Sequence, residues 1–264
     1  MLSPALATAG VVYEVAIRPV DQSNIALASP PSAAVVTQYF VEEGNVRVGG
    51  PNAKTIYLFK DRTMYVVDGV SRTVHVLKRA TLSQLLEHYA DAVKQLQDAA
   101  ANAPPQDRAE AERKANDMQE VSERMRQPVP HDYRVTARFE SVEGHACRIW
   151  EEYERDAKRL ELCIASPASL PGGAEILSGL KTLSQFRQGS DFAFGIAFGL
   201  TDWWPDFAML GGVPLLIREY KYDSQISEAM LSNMRPGTPA GNRFDLPAGY
   251  EMQEGPDYTQ WYVR

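Results

Sequence analysis

In a series of runs between residues 11 and 77 large apolar side chains recur at every second position, each run bounded by Gly, Pro, Asn or Asp, and this period restricts the fold more than any other feature of the chain. Val11, Tyr13, Val15 and Ile17 alternate with mixed positions, and further runs follow at 35–41, 46–48, 56–59, 64–67 and 74–77. Alternation places successive side chains on opposite faces of a strand, and the short breaks predict an antiparallel meander. In Thr55-Ile56-Tyr57-Leu58-Phe59 both phases are bulky, which predicts a sheet covered on both sides, by a helix or around an enclosed cavity.

The period changes near Thr81. Leu82, Leu85, Leu86, Tyr89, Val93 and Leu96 form one helical stripe, and Thr81-x-x-Gln84 predicts a capping box at its start. Asn102-Ala103-Pro104-Pro105 ends that helix. A second, charged helix is expected over 106–127, with Glu110–Lys114 and Glu120–Arg124 spaced for i,i+4 pairing and a weak stripe of Ala111, Ala115, Met118, Ser122 and Met125. The two make a helical hairpin inserted at about 80–127. Strands resume at 133–139 and run through a hairpin at 146–165, then Ser166 to Gly173 lead into a helix with Ile176, Leu180 and Leu183 on one side, ended by Gly189. Residues 192–200 alternate large and small side chains and fit either a strand or a tightly packed helix. Final strands are expected at 213–222, 225–234 and 244–252, and the fold class is α+β, one β-rich domain over 10–264.

Cys147 and Cys163 lie on the two arms of that hairpin. A turn centred on Arg155 pairs Tyr153 with Ala157 and sets the cysteines directly opposite, where Cα atoms ~4.5–5.5 Å apart suit a disulfide. Such a bond implies an oxidising compartment; two buried free thiols are the alternative. The opening LSPALATAG has Ala-x-Ala spacings like the end of a secretory signal, so residues 1–9 are expected to be a signal-peptide remnant and the protein periplasmic or secreted. With no Cys beside the cleavage pattern, no lipid-modified N-terminus is expected.

The net charge of −7, with Lys and Arg dispersed, argues against nucleic-acid binding, and no stretch is long and apolar enough to read as a transmembrane helix. There is no G-x-S-x-G, no phosphate-cradling Gly-rich loop, no H-E-x-x-H and no C-x-x-C. His75, His88, His131 and His145 show no metal-ligand spacing, and the acid pairs Glu151/Glu152 and Asp202/Asp206 are as expected on edges and loops as in a glycosidase. No catalytic residue, metal or cofactor is expected.

Four segments, KDRTMYVVDGVSRTVHVL from Lys60, GHACRIWEEYERDAKRLELCIASPASLPGG from Gly144, GVPLLIREY from Gly212 and RFDLPAGYE from Arg243, occur in an order that resembles exported domains of unknown function of family 4412. That family is similar to the half-barrel of lipoprotein carriers such as LolA and LppX. The resemblance implies a curved antiparallel sheet wrapping a helix around an apolar cavity, and a periplasmic carrier for a lipid-like ligand or lipoprotein. Trp150, Leu160, Leu162, Phe192, Phe194, Phe198, Trp203 and Trp204 are the candidate wall or lid residues, although each also suits ordinary core. The alternative is a ligand-free envelope module that binds a protein partner through the charged helical hairpin.

Overall fold

The computed structural model describes residues 10–20, 35–50, 52–126, 132–154, 156–187, 207–221, 224–237 and 242–255. The element order is β1(Val11–Pro19), β2(Val35–Glu42), β3(Asn45–Val48), β4(Thr55–Lys60), β5(Thr63–Asp68), β6(Thr73–Lys78), α1(Arg79–Ala101), α2(Arg108–Arg126), β7(Asp132–Val142), β8(His145–Glu154) and β9(Ala157–Ala165). A 3₁₀ turn (Pro167–Ser169), α3(Gly173–Arg187), α4(Phe207–Leu210), β10(Val213–Lys221), β11(Ser224–Pro236) and β12(Glu251–Glu254) follow.

The described strands form one open sheet in the order β12-β6-β5-β4-β3-β2-β1-β11-β10-β9-β8-β7. Two meanders, β1 to β6 and β7 to β11, meet where the first strand pairs with β11, Val15 opposite Leu231 and Ile17 opposite Ala229. Tight hairpins set much of the register. The two-residue turns Glu43-Gly44, Asp61-Arg62 and Glu143-Gly144 all have positive φ at both positions, the turn geometry whose twist matches that of paired strands. Class is mostly β, and the pairing is antiparallel except at one border, where β12 runs parallel to β6. The strand expected over 244–252 is instead turns and irregular chain up to Tyr250, because this segment packs side chains onto the sheet before joining its edge.

Directly opposed residues share a face, so the ladders sort the side chains. On the inner face, the one carrying α3, Leu77, Met64, Phe59, Val46, Val41 and Val11 are successive lateral neighbours, and farther along β1 Ile17, Ala229, Ile217 and Leu162 continue the face. Helix α3 buries Ile176, Leu180 and Leu183 in this core. On the outer face of β4, β5 and β6, Leu58, Val67 and Val74 pack against Phe244, Leu246 and Tyr250. Arg243 ties that cover down. Its carbonyl accepts from Arg47 Nη1 at 2.9 Å, and its guanidinium stands 4.7 Å over the Phe40 ring. The two bulky phases of β4 are therefore covered, one side by the core under α3 and the other by the C-terminal segment rather than by a second helix.

Gly179 is where α3 comes closest to the sheet. A Cβ there would stand 2.7 and 2.9 Å from the two Val41 methyl carbons. Alanine gains about 1 kcal/mol of helix propensity, but forcing the helix off the sheet costs about 1–3 kcal/mol. Gly179→Ala is therefore expected to lower the denaturation midpoint, and a raised midpoint in urea would show that the gap opens freely.

The helical hairpin joins β6, next to the β12 border of the sheet, to β7 at the other border. Helix α1 starts at Arg79 on the heels of β6, with Lys78 as N-cap and no side-chain cap, so the capping box expected at Thr81 is absent; Thr81 already lies inside the helix. Gln97 donates to Gln119 at 2.9 Å, Val93, Ala100 and Ala115 are buried, and the expected Glu110–Lys114 pair forms at 2.9 Å. The side chains of the expected Glu120–Arg124 pair lie outside those described.

The Cys147–Cys163 disulfide is present, with Cα atoms 5.2 Å apart, but in a different register from the one expected. Glu154 pairs with Ala157 and Tyr153 with Lys158, then Glu152 pairs with Leu160, so Arg159 is an extra residue on β9. This bulge and the two-residue turn place Cys163 opposite Ile149, and the bridge runs diagonally. Both cysteines are buried, which leaves neither as a nucleophile.

Candidate functional site

On β7, β8 and β9 the two faces of the sheet differ in chemistry. The outer face carries, beside the buried Cys147, Ile149 and Cys163, a ladder of charge. Glu161 on β9 accepts from Arg138 Nη2 and from Arg218 Nη1, each at 2.6 Å, and Arg218 also donates to both oxygens of Glu140 at 3.0 and 2.8 Å. Arg138 reaches Glu151 at 3.0 Å, Lys158 lies 3.9 and 3.7 Å from Glu151 and Glu161, and Arg218 continues to Glu228, which pairs with Arg18. Beside them Arg134 stands 4.1 Å over Tyr153 and Lys158 3.9 Å over Tyr220. Burial pushes the Glu161 carboxyl up, but the hydrogen bonds from Arg138 and Arg218 outweigh it and hold it below the usual range. Hydrogen bonding from Arg218 lowers Glu140 in the same way. Four cations and four carboxylates balance, so the ladder ties six strands together and offers no net charge to a ligand.

The inner face of the same strands is apolar at its centre and in part open. Its lateral rows are Tyr133 with Glu152 and Leu160, Val135 with Trp150 and Leu162, and Phe139 with Arg148 and Ile164. Leu160 and Leu162 are buried core, Trp150 is half-buried against it, and toward the β7 border Val135 is 45% and Phe139 68% exposed. A bulge shapes this border. Four residues of β7 separate the Val135 and Phe139 pairings where β8 spends two, Thr136 Oγ1 donates to the Ile149 carbonyl at 2.8 Å, and Arg138 N donates back to that hydroxyl at 3.1 Å. Arg148 Nε donates to the Thr136 carbonyl at 2.7 Å and its guanidinium lies 5.7 Å from the Phe139 ring. Bulges commonly re-aim side chains in this way.

Of the expected wall residues, the structure brings Trp150, Leu160 and Leu162 together on this face. Phe192, Phe194, Phe198, Trp203 and Trp204 lie outside the described residues. Sequence reasoning missed Tyr133, Val135, Phe139 and Arg148. The signal was present as the alternation Tyr133, Val135, Ala137, Phe139, but nothing in it says which phase faces the helix. Farther along the same face, Tyr13 and Tyr39 stack at 5.0 Å, and burial raises both phenols far above their ordinary range. Among the described residues no group of three or more His, Cys, Asp or Glu side chains is placed to hold a metal ion, and no helix is long and apolar enough to cross a membrane.

No family model and no curated protein matches the chain, so membership of family 4412 is without support from either. Solved structures align over most of its length at low identity. An uncharacterized conserved protein from Thermus thermophilus aligns over 94% of this chain and 91% of its own, at 6% identity and a TM-score of 0.44. PNGF-II aligns over 94% of this chain and 32% of its own, at 8% identity and a TM-score of 0.30. A LolA superfamily protein from Nitrosomonas europaea aligns over 90% and 91%, at 11% identity and a TM-score of 0.27. Superpositions this loose carry no functional argument, which leaves the site to be read from its own residues.

Proposed function

We propose that the chain is a binding or carrier module for a hydrophobic ligand, held on the inner face of β7 and β8. The observation that carries this reading is the exposure of Phe139 and Val135, which continue an apolar face through Trp150 to buried Leu162 and Leu160. Exposed apolar surface contiguous with a core is where ligands dock. On sequence grounds Phe192, Phe194, Phe198, Trp203 and Trp204 are proposed as further wall. The disulfide is consistent with an oxidising compartment, which supports placing the protein in the periplasm or outside the cell.

The half-barrel reading draws support from chain length. Strands β6 and β7 stand ten spacings apart in the sheet order, ~48 Å if the sheet were flat. The hairpin returns on itself, so the end of α2 lies ~17 Å along the axis from the start of α1. With the residues leading to β7 fully extended, the connection reaches ~40 Å. A curved sheet closes that gap.

Phe139→Ser tests the reading with little risk to the fold, since an exposed side chain is replaced and the expected stability change is within about 0.5 kcal/mol. Affinity for a fluorescent alkyl probe is expected to fall about tenfold or more, with the melting midpoint unchanged. Undiminished probe binding would remove the inner face of β7 from the site, and wild-type protein that never binds the probe would favour the ligand-free docking role of the helical hairpin.

A further inference from the structure

The inner face at β7 and β8 is polarised. Along β8 the side chains on this face run Arg148, Trp150, Glu152, so the apolar centre has an arginine at one end and a buried carboxylate at the other. Arg148 differs from the other arginines of β7 to β10. Arg134 pairs with Asp132, Arg138 with Glu151 and Glu161, Arg159 with Glu154, and Arg218 with Glu140 and Glu161. Arg148, among the described residues, meets a backbone carbonyl and an aromatic ring and no carboxylate. Its Nε bond to Thr136 and its place beside Phe139 fix the plane of the guanidinium, while among the described residues its two terminal nitrogens, four N–H donors, have no acceptor. That is the donor pattern a single carboxylate fills in a two-pronged contact.

We propose that the hydrophobic ligand is a free long-chain carboxylate, its head on Arg148 and its chain running over Phe139, Val135 and Trp150 toward Leu162. This inference rests on the apolar-ligand reading above and adds the head group and the orientation. The apolar side chains set the orientation, because a chain held by its head at Arg148 meets Trp150 and then Leu162 along the same face. One arginine that meets no carboxylate among the described residues matches one anionic head. It also separates this surface from the charge-balanced outer face, which has no such opening.

The test compares laurate with dodecanol, both displacing one fluorescent alkyl probe, on wild-type protein, Arg148→Gln and Arg148→Lys. Charge-assisted hydrogen bonds predict that wild type prefers laurate by about tenfold or more. Arg148→Gln is expected to abolish that preference while dodecanol binds as before, and Arg148→Lys to restore part of it. Equal affinity of wild type for the two chains, or a preference that survives Arg148→Gln, overturns the head-group assignment and leaves the apolar-ligand reading standing. If neither chain binds, both fall. Flotation with phosphatidylglycerol vesicles, unaffected by competing laurate, would assign the arginine to a membrane surface and overturn the proposal as well.

Discussion

Replacing Glu161 with alanine is expected to destabilise the protein by about 3 kcal/mol, the low end of the range for breaking a buried ion pair, because Arg138 is half exposed and recovers water. The Glu161 side chain is 5% exposed and is the acceptor that Arg138 on β7 and Arg218 on β10 share across β9. Its loss leaves Arg218 in a poorly solvated site with Glu140 and Glu228 still in reach, so the fold should weaken rather than collapse. Urea denaturation measures the effect, and a change below about 0.5 kcal/mol, the size seen at ordinary surface positions, would show the ladder to be ornamental. The same network sets an acid limit. Both Glu161 and Glu140 titrate below their unfolded values, so their contribution is complete above the unfolded carboxylate range near ~4.3 and is lost as pH falls through the lower folded values. In Glu161→Ala the slope of stability against pH in that acid window should be shallower than in wild type.

The Cys147→Ser, Cys163→Ser double variant is expected to lose a similar amount, ~3 kcal/mol in the chain-entropy model for cysteines 16 residues apart. The hairpin between them is short and bears its own turn, so any of it that persists in the unfolded chain reduces the loss. Both sulfurs are buried, hence reduction should require unfolding first. Mass-tagging of thiols in native protein under mild reductant is predicted to find none modified. Rapid labelling of the folded protein would contradict the burial on which the estimate stands.

These two sites show how far the sequence could be read. Period 2 located the strands, because Val46, Phe59, Met64 and Leu77 sit at the inward phase of runs bounded by turn residues. The same period cannot count bulges. Arg159 adds one residue to β9, invisible in the alternation of Lys158 to Leu162, and the cysteine pair shifts from opposed to diagonal. The meeting of β1 with β11 was illegible for another reason, since ladder partners more than 200 residues apart leave no local pattern. The C-terminal segment carried a strand-like composition in Phe244 and Leu246, yet tertiary packing against Leu58, Val67 and Val74 governs its path. At the candidate site, Trp150, Leu160 and Leu162 were legible as large apolar residues on paired arms. Arg148 was not, because its significance lies in what surrounds it, a bulge carbonyl and a ring from β7, and in the carboxylate partners that its neighbours on the outer face have.

The most direct test of ligand binding on the inner face is photo-crosslinking with a laurate analogue carrying a diazirine at its chain end, followed by peptide mass spectrometry. The account predicts adducts at the far end of the chain, on Val135, Trp150 or Leu162 of β7, β8 and the neighbouring strand, suppressed by excess laurate and absent in a Phe139→Ser, Arg148→Gln variant. Adducts confined to the helical hairpin of α1 and α2, or labelling of the strands that excess laurate leaves unchanged, would contradict it.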